Sequence, residues 1–298
     1  MQLQMSRWWD TTRKSAQHTP SHPRIGIALG GGFARGIAHL GVLRVLEKNN
    51  IPISYIAGIS SGSMVAAAYA GGCGIDHIEA VARAMRFRDV ARWTISRLGL
   101  AGSDRMIPFL GRLLKENRFE NMKTPLAIVA TNLATGEPVV FRGKGDVVLP
   151  IRASCSYPGL FLPIRYAGRY LVDGAVCMEV PAKPVREMGA TRVISVHLPN
   201  VLESPDPANM FAVVNRCFQV MGGRLQNEWR RHSDLVISPA VGGLAWDSFE
   251  DVTKLIELGE KAAVAALPVI KQWLRPLDNS LPASDLKGNF QVALQSNR

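Results

Sequence analysis

Two short apolar runs, each followed by a turn of small residues and then by a helical pattern, occupy residues 24 to 71. The first, RIGIAL at 24–29, leads into GGGFARG and a helix that continues to about Lys48. The second, Ile53 to Ala57, leads into GISSG and an alanine-rich helix from Gly62 to Ala70. Strands and helices that alternate in this way are typical of a parallel sheet wrapped by helices. We therefore expect an α/β fold.

The remainder of the chain continues this alternation up to a polar C-terminal stretch. We expect strands at 125–133, 137–143, 192–198 and 234–239, a strand pair within 163–176, and helices near 147–156, 209–231 and 250–274. A chain of 298 residues with 47% hydrophobic content can bury one large core. The predicted organisation is a basic flexible tail at 1–23, a main domain at 24–240, a helical extension at 241–275 and a disordered tail at 276–298.

Composition narrows the classes of partner and compartment. The formal net charge of +11 favours an anionic partner, either a phosphate polymer or an anionic membrane.

The longest nearly uncharged apolar stretch, 64–75, is shorter than the about 20 residues that cross a bilayer. The first 24 residues show neither the apolar region nor the cleavage site of a secretory signal, so we expect a cytoplasmic protein. The four cysteines are widely separated, which favours buried small side chains over metal ligands or disulfides.

Positive charge is concentrated between residues 83 and 118, where nine Lys or Arg residues face three acids. Apolar or small side chains in this segment follow helical spacing, namely Phe87, Val90, Ala91, Thr94, Ile95 and Leu98. Arg88, Arg92, Trp93 and Arg97 lie off that stripe. The pattern predicts an amphipathic helix, either docked with a solvated basic face or placed at a lipid surface as a lid or membrane contact. Trp8 and Trp9 beside basic residues in the N-terminal tail raise the same alternatives.

The stretch GISSG places Ser60 between Gly58 and Gly62 at a junction of strand and helix. A serine on so sharp a turn presents its hydroxyl above the edge of a sheet, and glycines on either side let the backbones pack closely. The N–H groups of the following helix then point at negative charge that forms nearby. This pattern makes Ser60 a candidate nucleophile, although glycine and serine are also ordinary punctuation between elements.

The glycine loop GGGFARG does not fit a dinucleotide-binding loop. Phe33 or Arg35 stands where that pattern needs glycine, depending on the glycine counted first, and the acid expected about 20 residues later is missing. No Gly-Lys-Ser/Thr of a phosphate-binding loop is present in the sequence either. The loop instead suits an oxyanion hole, because converging backbone N–H groups stabilise a developing negative charge.

Three motifs in order, GGGFARG, GISSG and DGA at 173–175, resemble the patatin-like phospholipase family, especially its small bacterial members. The flanking words IAHLGVLRVLE, SYPGLFLPI and YLVDGAV resemble that family too, so the likeness covers roughly residues 24–240. It implies a three-layer α/β/α sandwich with a mainly parallel central sheet. It also implies a serine acyl hydrolase that cleaves carboxylic ester bonds of phospholipids or lysophospholipids through a Ser-Asp dyad and an acyl-enzyme.

The likeness assigns roles to particular residues of this chain. Ser60 would be the nucleophile and Asp173 the acceptor of its proton. The oxyanion hole would be formed by Gly30, Gly31, Gly32, Phe33, Arg35 and Gly36, with Gly58 and Gly62 at the elbow and Gly174 and Ala175 completing DGA. Phe33 departs from the pattern, because the family commonly has another glycine there. No cofactor and no metal are implied.

The partners expected are a phospholipid or lysophospholipid substrate and, as a further candidate, the anionic inner face of a membrane. No nucleic acid is expected, because the sequence lacks the aromatic and basic signature of such modules. The oligomeric state is left open. An acyltransferase or a general esterase would use the same acyl-enzyme, and a catalytically silent membrane-binding protein is disfavoured by the intact Ser60, Asp173 and glycine loop.

A Ser, acid, His triad is the alternative to the dyad. Ser60, Asp173 and then His197 or His232 occur in the required order. The family likeness does not require a histidine, so the dyad is favoured. We expect the acyl-enzyme on Ser60 and not on Ser61 or Ser63, and we expect His39 to pack or bond locally.

Overall fold

The computed structural model describes residues 23–94, 96–199, 206–207, 210–245, 247 and 249–275. The tails predicted at 1–23 and 276–298, including Trp8 and Trp9, lie outside the described residues apart from Pro23. The strands are β1 (Ile25–Leu29), β2 (Tyr55–Gly58), β3 (Arg92–Trp93), β4 (Ala101–Gly102), β5 (Leu126–Asn132), β6 (Pro138–Arg142), β7 (Ile164–Tyr166), β8 (Arg169–Asp173), β9 (Arg192–Val196) and β10 (Leu235–Ile237). The α-helices are α1 (Ala38–Lys48), α2 (Ser61–Ala70), α3 (Ile75–Ala84), α4 (Met106–Leu113), α5 (Val148–Ser154), α6 (Ala182–Glu187), α7 (Met210–Arg230) and α8 (Val252–Trp273).

The central sheet has the order β10-β9-β1-β2-β5-β8-β7, with β6 also paired to β5. The pairs from β10 to β5 are parallel, and the pairs of β5 with β6 and β8, and of β7 with β8, are antiparallel. The expectation of a mainly parallel sheet is therefore confirmed.

Helices cover both faces of this sheet. Ile25, Ile27 and Leu29 of β1 belong to a large core that includes residues of α1, α2 and α8. Ala28, on the opposite face of the same strand, belongs to a smaller core with residues of α6 and α7. Because successive side chains of a strand point to opposite faces, this alternation divides the molecule into three layers. The predicted α/β/α sandwich is confirmed.

Strands β2 and β8 share one edge of β5. β2 pairs with Leu126–Ile128 and β8 with Ala130–Asn132, whereas β6 pairs along the whole stretch from Ala127 to Thr131. A strand has two edges, and β6 occupies one of them beside both halves of β5. Hence β2 and β8 lie end to end on the other edge, with Val129 between the two paired stretches. Since β2 is parallel and β8 antiparallel to β5, their C-terminal ends meet.

The helical extension predicted at 241–275 is α8, which packs directly on α1. A Cβ atom on Gly41 would lie 2.0 Å from the Ile256 carbonyl oxygen, and one on Gly259 would lie 2.0 Å from the Ala38 carbonyl oxygen. These glycines let the two helix backbones touch, so α8 closes the large core.

The prediction of a continuous amphipathic helix over 87–98 is wrong. Phe87–Asp89 form a single 3-10 turn, after which β3 and β4 form a small hairpin. Within it the Thr94 N–H donates to the Leu100 carbonyl oxygen, so the hairpin pairs backbone groups that a helix would have paired. The spacing still marked the buried side, because Val90 and Ala91 are each 4% exposed. Helix α4 lies within the segment 83–118 that was predicted to be helical, whereas helices α3 and α6 were not predicted.

No helix in the described part of the chain is long and apolar enough to cross a membrane.

Candidate active site

Ser60 lies on a strained turn between β2 and α2. Its backbone has φ 53° and ψ −129°, a conformation that residues other than glycine rarely adopt. A Cβ atom on Gly58 would lie 2.4 Å from the Gly62 carbonyl oxygen, and one on Gly62 would lie 2.5 Å from the Leu29 carbonyl oxygen. Glycine is needed at both positions, because the turn packs tightly against itself at Gly58 and against β1 at Gly62. This is the geometry of a nucleophile elbow.

The Ser60 hydroxyl donates a hydrogen bond to Asp173. The distance from Ser60 Oγ to Asp173 Oδ2 is 2.8 Å, and the Ala175 N–H donates to Asp173 Oδ1 at 2.9 Å. Asp173 is 1% exposed, and burial raises the pKa of its carboxyl to about 7, against the opposing hydrogen bonds from Ala175 and Ser60. A carboxylate with this pKa is basic enough to take the proton of a serine near neutral pH.

The pair is assembled by the shared edge of β5. Gly58, two residues before Ser60, lies opposite Ile128, and Asp173 lies opposite Ala130. The backbone of Asp173 is fixed on both sides, because its N–H donates to the Ser156 carbonyl oxygen at 2.9 Å and its own carbonyl accepts from Thr131 Oγ1 at 2.8 Å. The acid is therefore preorganised.

Ser154 accepts a hydrogen bond from the backbone of Ser60 and so fixes the turn, a role that the sequence analysis did not predict. The Ser60 N–H donates to Ser154 Oγ at 2.9 Å, and the same hydroxyl donates to the Val129 carbonyl oxygen at 2.6 Å. Ser154 is fully buried at the end of α5. A single serine in a helical pattern carries no signal for such a role, which depends on the gap between β2 and β8.

The glycine loop lies against Ser60. A Cβ atom on Gly31 would lie 3.2 Å from the Ser60 Cβ atom. Among the described residues, the N–H groups of Gly31 and Gly32 have no acceptor. The loop is anchored by His39, whose Nε2 lies 2.8 Å from the Gly30 carbonyl oxygen. Burial lowers the pKa of His39 to about 4, so the ring is neutral and donates this bond, as expected of a locally bonded histidine.

The backbone of Phe33 explains why glycine suits this position. Phe33 has φ 51°, in the left-handed region that glycine adopts most readily. Its ring packs edge-on against Tyr157, with 4.9 Å between ring centroids. This contact offsets part of the backbone strain. Arg35 and Gly36 lie in the 3-10 turn Phe33–Ile37, which leads directly into α1. A larger residue is therefore compatible with the loop.

A mainly apolar cavity of about 100 Å³ has Ser60 in its wall. It extends from the elbow under the basic segment, and its lining includes Leu40, Met64, Ile78, Phe87, Val90, Met106, Phe109 and Phe161. Ser61 also lines this cavity, and its buried Oγ atom has no hydrogen-bond partner among the described residues. The cavity can hold a hydrocarbon chain with one end at Ser60.

A second, more polar cavity of about 70 Å³ also contacts Ser60 and Asp173. Its other lining residues include Arg35, Tyr157, Glu179, Asn215, Phe218 and Gln219. An apolar and a polar cavity thus meet at Ser60.

The histidines proposed for a triad lie elsewhere. His197 Nε2 donates to Glu179 Oε1 at 3.0 Å, and Trp229 Nε1 donates to Glu179 Oε2 at 3.1 Å. Burial alone would raise the pKa of Glu179, but the bonds from His197 and Trp229 hold it below its ordinary value. His232 follows the end of α7, where its carbonyl accepts from Arg186. Neither ring is hydrogen-bonded to Ser60 or Asp173 in the described structure.

No group of three or more His, Cys, Asp or Glu side chains among the described residues is placed to hold a metal ion.

Ser63, the third serine of the elbow region, donates its hydroxyl to the Ser60 carbonyl oxygen at 2.6 Å.

Curated relatives match about three fifths of this chain. An uncharacterized NTE family protein of Mycobacterium bovis is 33% identical over 181 residues, which are 60% of this chain and 50% of that protein. The lysophospholipase NTE1 of Mycosarcoma maydis is 32% identical over 191 residues, which are 59% of this chain and 10% of that protein. The chain therefore spans half or less of the length of these two relatives.

A solved structure shares the fold. Human GIVD cytosolic phospholipase A2 superposes with a TM-score of 0.51 at 12% identity, covering 86% of this chain and 59% of that chain. Residues 27–186, which are more than half of the chain and include the glycine loop, the elbow and Asp173, match the sequence model of the family described as Patatin-like phospholipase. The chain belongs to the patatin-like phospholipase family.

Proposed function

We propose that this chain is a serine acyl hydrolase that cleaves carboxylic ester bonds of phospholipids or lysophospholipids through a Ser60-Asp173 dyad. The observation that carries the proposal is the 2.8 Å hydrogen bond from Ser60 Oγ to the buried Asp173 Oδ2. A serine hydroxyl is a weak nucleophile until a base accepts its proton, and Asp173 is the base within reach.

The reaction follows from this contact. Ser60 Oγ attacks the ester carbonyl carbon while its proton passes to Asp173 Oδ2. The N–H groups of Gly31 and Gly32 stabilise the oxyanion, and the leaving alcohol takes the proton from Asp173 as the tetrahedral intermediate collapses. Water then attacks the acyl-enzyme, gives a proton to Asp173 and releases the fatty acid. The proton returns to Ser60.

Two further features support a lipid substrate. The apolar cavity at Ser60 suits an acyl chain, and the polar cavity containing Arg35 suits the glycerol and phosphate side of a leaving group. The relative named lysophospholipase in Mycosarcoma maydis supports the same substrate class.

The test is turnover of an ester panel by the wild type and Ser60→Ala. The panel contains lysophospholipids, diacyl phospholipids and soluble esters of increasing acyl length, with and without an alcohol acceptor that would reveal acyl transfer. We expect turnover that needs Ser60 and rises with acyl length. Lysophospholipid turnover by folded Ser60→Ala at the wild-type rate would refute the dyad.

A fluorophosphonate probe locates the nucleophile independently. We expect one label per chain, mapped to Ser60 by peptide analysis. Ser61→Ala is the matched control and should still be labelled, because the Ser61 hydroxyl has no base within hydrogen-bond distance among the described residues. Labelling of Ser61 or Ser63 in the wild type would contradict the assignment.

A further inference from the structure

Large apolar side chains are exposed on the hairpin of β3 and β4 and on the adjoining α4. Trp93 is 67% exposed, Leu98 58%, Leu100 44% and Ile107 47%. We call these four residues, with Arg88, Arg92, Arg97 and Arg105, the hairpin surface. Exposed apolar residues also occur elsewhere on the described surface, so what distinguishes these four is the apolar cavity behind them.

The hairpin surface is the outer side of the wall of the apolar cavity. The Trp93 ring lies 5.9 Å from the Phe87 ring, and Phe87 lies 6.2 Å from Phe161, where both phenylalanines line the cavity. Helix α4 shows the same division, because Ile107 is exposed while Met106 lines the cavity. One layer of side chains therefore separates this surface from the space that would hold an acyl chain.

The arginines of the hairpin surface are exposed and available to an outside anion. None of the four forms an ion pair with an acid among the described residues. The nearby acids are engaged elsewhere, since Asp89 accepts from the Arg86 N–H and Asp104 pairs with Arg152. The surface therefore combines exposed apolar groups with uncompensated positive charge.

We propose that the hairpin surface docks on an anionic phospholipid membrane and places the apolar cavity against the lipid layer. Trp and Leu enter the interface between headgroups and acyl chains, and arginines at the rim bind lipid phosphates. A lipid surface is favoured over a protein partner because the surface continues, through Phe87, into a cavity suited to hydrocarbon. The proposal rests on the proposed function, since docking there supplies the lipid substrate to Ser60.

Co-sedimentation with vesicles tests the docking. The vesicles are phosphatidylcholine alone or phosphatidylcholine mixed with phosphatidylglycerol. Each arginine at an anionic surface contributes about fivefold in affinity, so changing Arg88, Arg92 and Arg97 together to Gln should weaken binding roughly 100-fold on anionic vesicles. Leu98→Ser with Ile107→Ser should weaken it on both kinds of vesicle, and added salt should weaken the wild type.

The matched control removes the same three charges elsewhere. Arg142, Arg165 and Arg169 are exposed on β6, β7 and β8 and do not line the apolar cavity, so changing them to Gln should leave affinity within about threefold of wild type. Equal losses in the two triple variants would overturn the proposal in favour of net charge alone. Wild-type protein that does not bind anionic vesicles would also overturn it.

Two further measurements separate docking from catalysis and from self-association. Ser60→Ala should bind anionic vesicles like the wild type, so docking is measured even if the chemistry differs from the proposal. The docking variants should keep turnover of a soluble short-chain ester and lose turnover of vesicle lipid. If gel filtration shows a dimer that Leu98→Ser with Ile107→Ser dissociates, the surface is an interface between two copies and the membrane proposal fails.

Discussion

Asp173→Asn should abolish turnover and yet stabilise the folded protein above neutral pH. Asn keeps an acceptor for the Ala175 N–H and presents an amide to Ser60, so both contacts of the side chain have a counterpart. It cannot accept the serine proton, and we expect turnover to fall by at least ~10²–10⁴-fold. The gain in stability arises because Asn never places a negative charge in a site that is 1% exposed.

The magnitude follows from the pKa of Asp173. Burial raises that pKa from its ordinary value of 3.8 to about 7. Each pH unit corresponds to about 1.4 kcal/mol, so the full effect is about 4 kcal/mol. Below pH about 4 the carboxyl is protonated in both states and its stabilising contribution is complete. Between about 4 and 7 the unfolded chain releases the proton and the folded chain retains it, so the wild type loses stability, and the loss levels off above 7.

Urea unfolding of both proteins at a series of pH values measures this difference. The free energy of unfolding of Asp173→Asn minus that of the wild type should be smallest near pH 4 and should rise by about 4 kcal/mol above pH 7. Ser60→Ala is the control, because it is also inactive but keeps the carboxyl. A difference that stays constant with pH would show that the carboxyl has the same pKa in the folded and the unfolded chain, and would refute the raised pKa of Asp173.

Three other substitutions test parts of the structure around the site. Ser154→Ala should lower the free energy of urea unfolding by about 1–3 kcal/mol and reduce kcat more than it raises KM, because the buried Ser60 N–H loses its acceptor. His197→Ala should keep turnover within about tenfold while unfolding at lower urea, since the Glu179 carboxylate loses a donor; a larger loss of turnover with an unchanged circular dichroism spectrum would support a triad. Ala167 lies in the turn between β7 and β8 and has φ 47°, a conformation that Asn tolerates better. Ala167→Asn should therefore raise the free energy of unfolding by about 0.5–1 kcal/mol. An equal or lower free energy of unfolding would show that the turn between β7 and β8 is unstrained.

The sequence predicted most of the layered fold because its strands are short, apolar and bounded by glycine or polar turns. RIGIAL and the strand before GISSG became β1 and β2 within two residues of their expected bounds. The glycine loop and elbow were predictable for a related reason, since tight backbone contact demands small residues at fixed spacing. The pairing of Ser60 with Asp173 was implied by the resemblance of the three ordered motifs to the patatin-like phospholipase family, because neither residue alone excludes an ordinary turn.

Other features depend on contacts distant in the chain and left no local pattern. Ser154 is a common residue in a helix, and its bond to Ser60 exists because α5 ends beneath the elbow. The prediction of a helix over 87–98 fails because apolar spacing indicates which side chains are buried but not how the backbone is hydrogen-bonded. In the structure, this segment is a hairpin because β3 pairs with β4 and Gly99 packs closely against the backbone of Phe161.

The shared edge of β5 fixes the distance between Ser60 and Asp173. Ser60 and Asp173 are 113 positions apart in sequence, yet their spacing in space is set by a single residue of β5, Val129, between the two registers. One residue inserted there would move the partners apart by about 3.3 Å and turn one of them to the other face of the sheet. Residues inserted into the hairpin at 92–102 would leave both registers unchanged. The hairpin at 92–102 can therefore vary in length while the distance between Ser60 and Asp173 stays fixed.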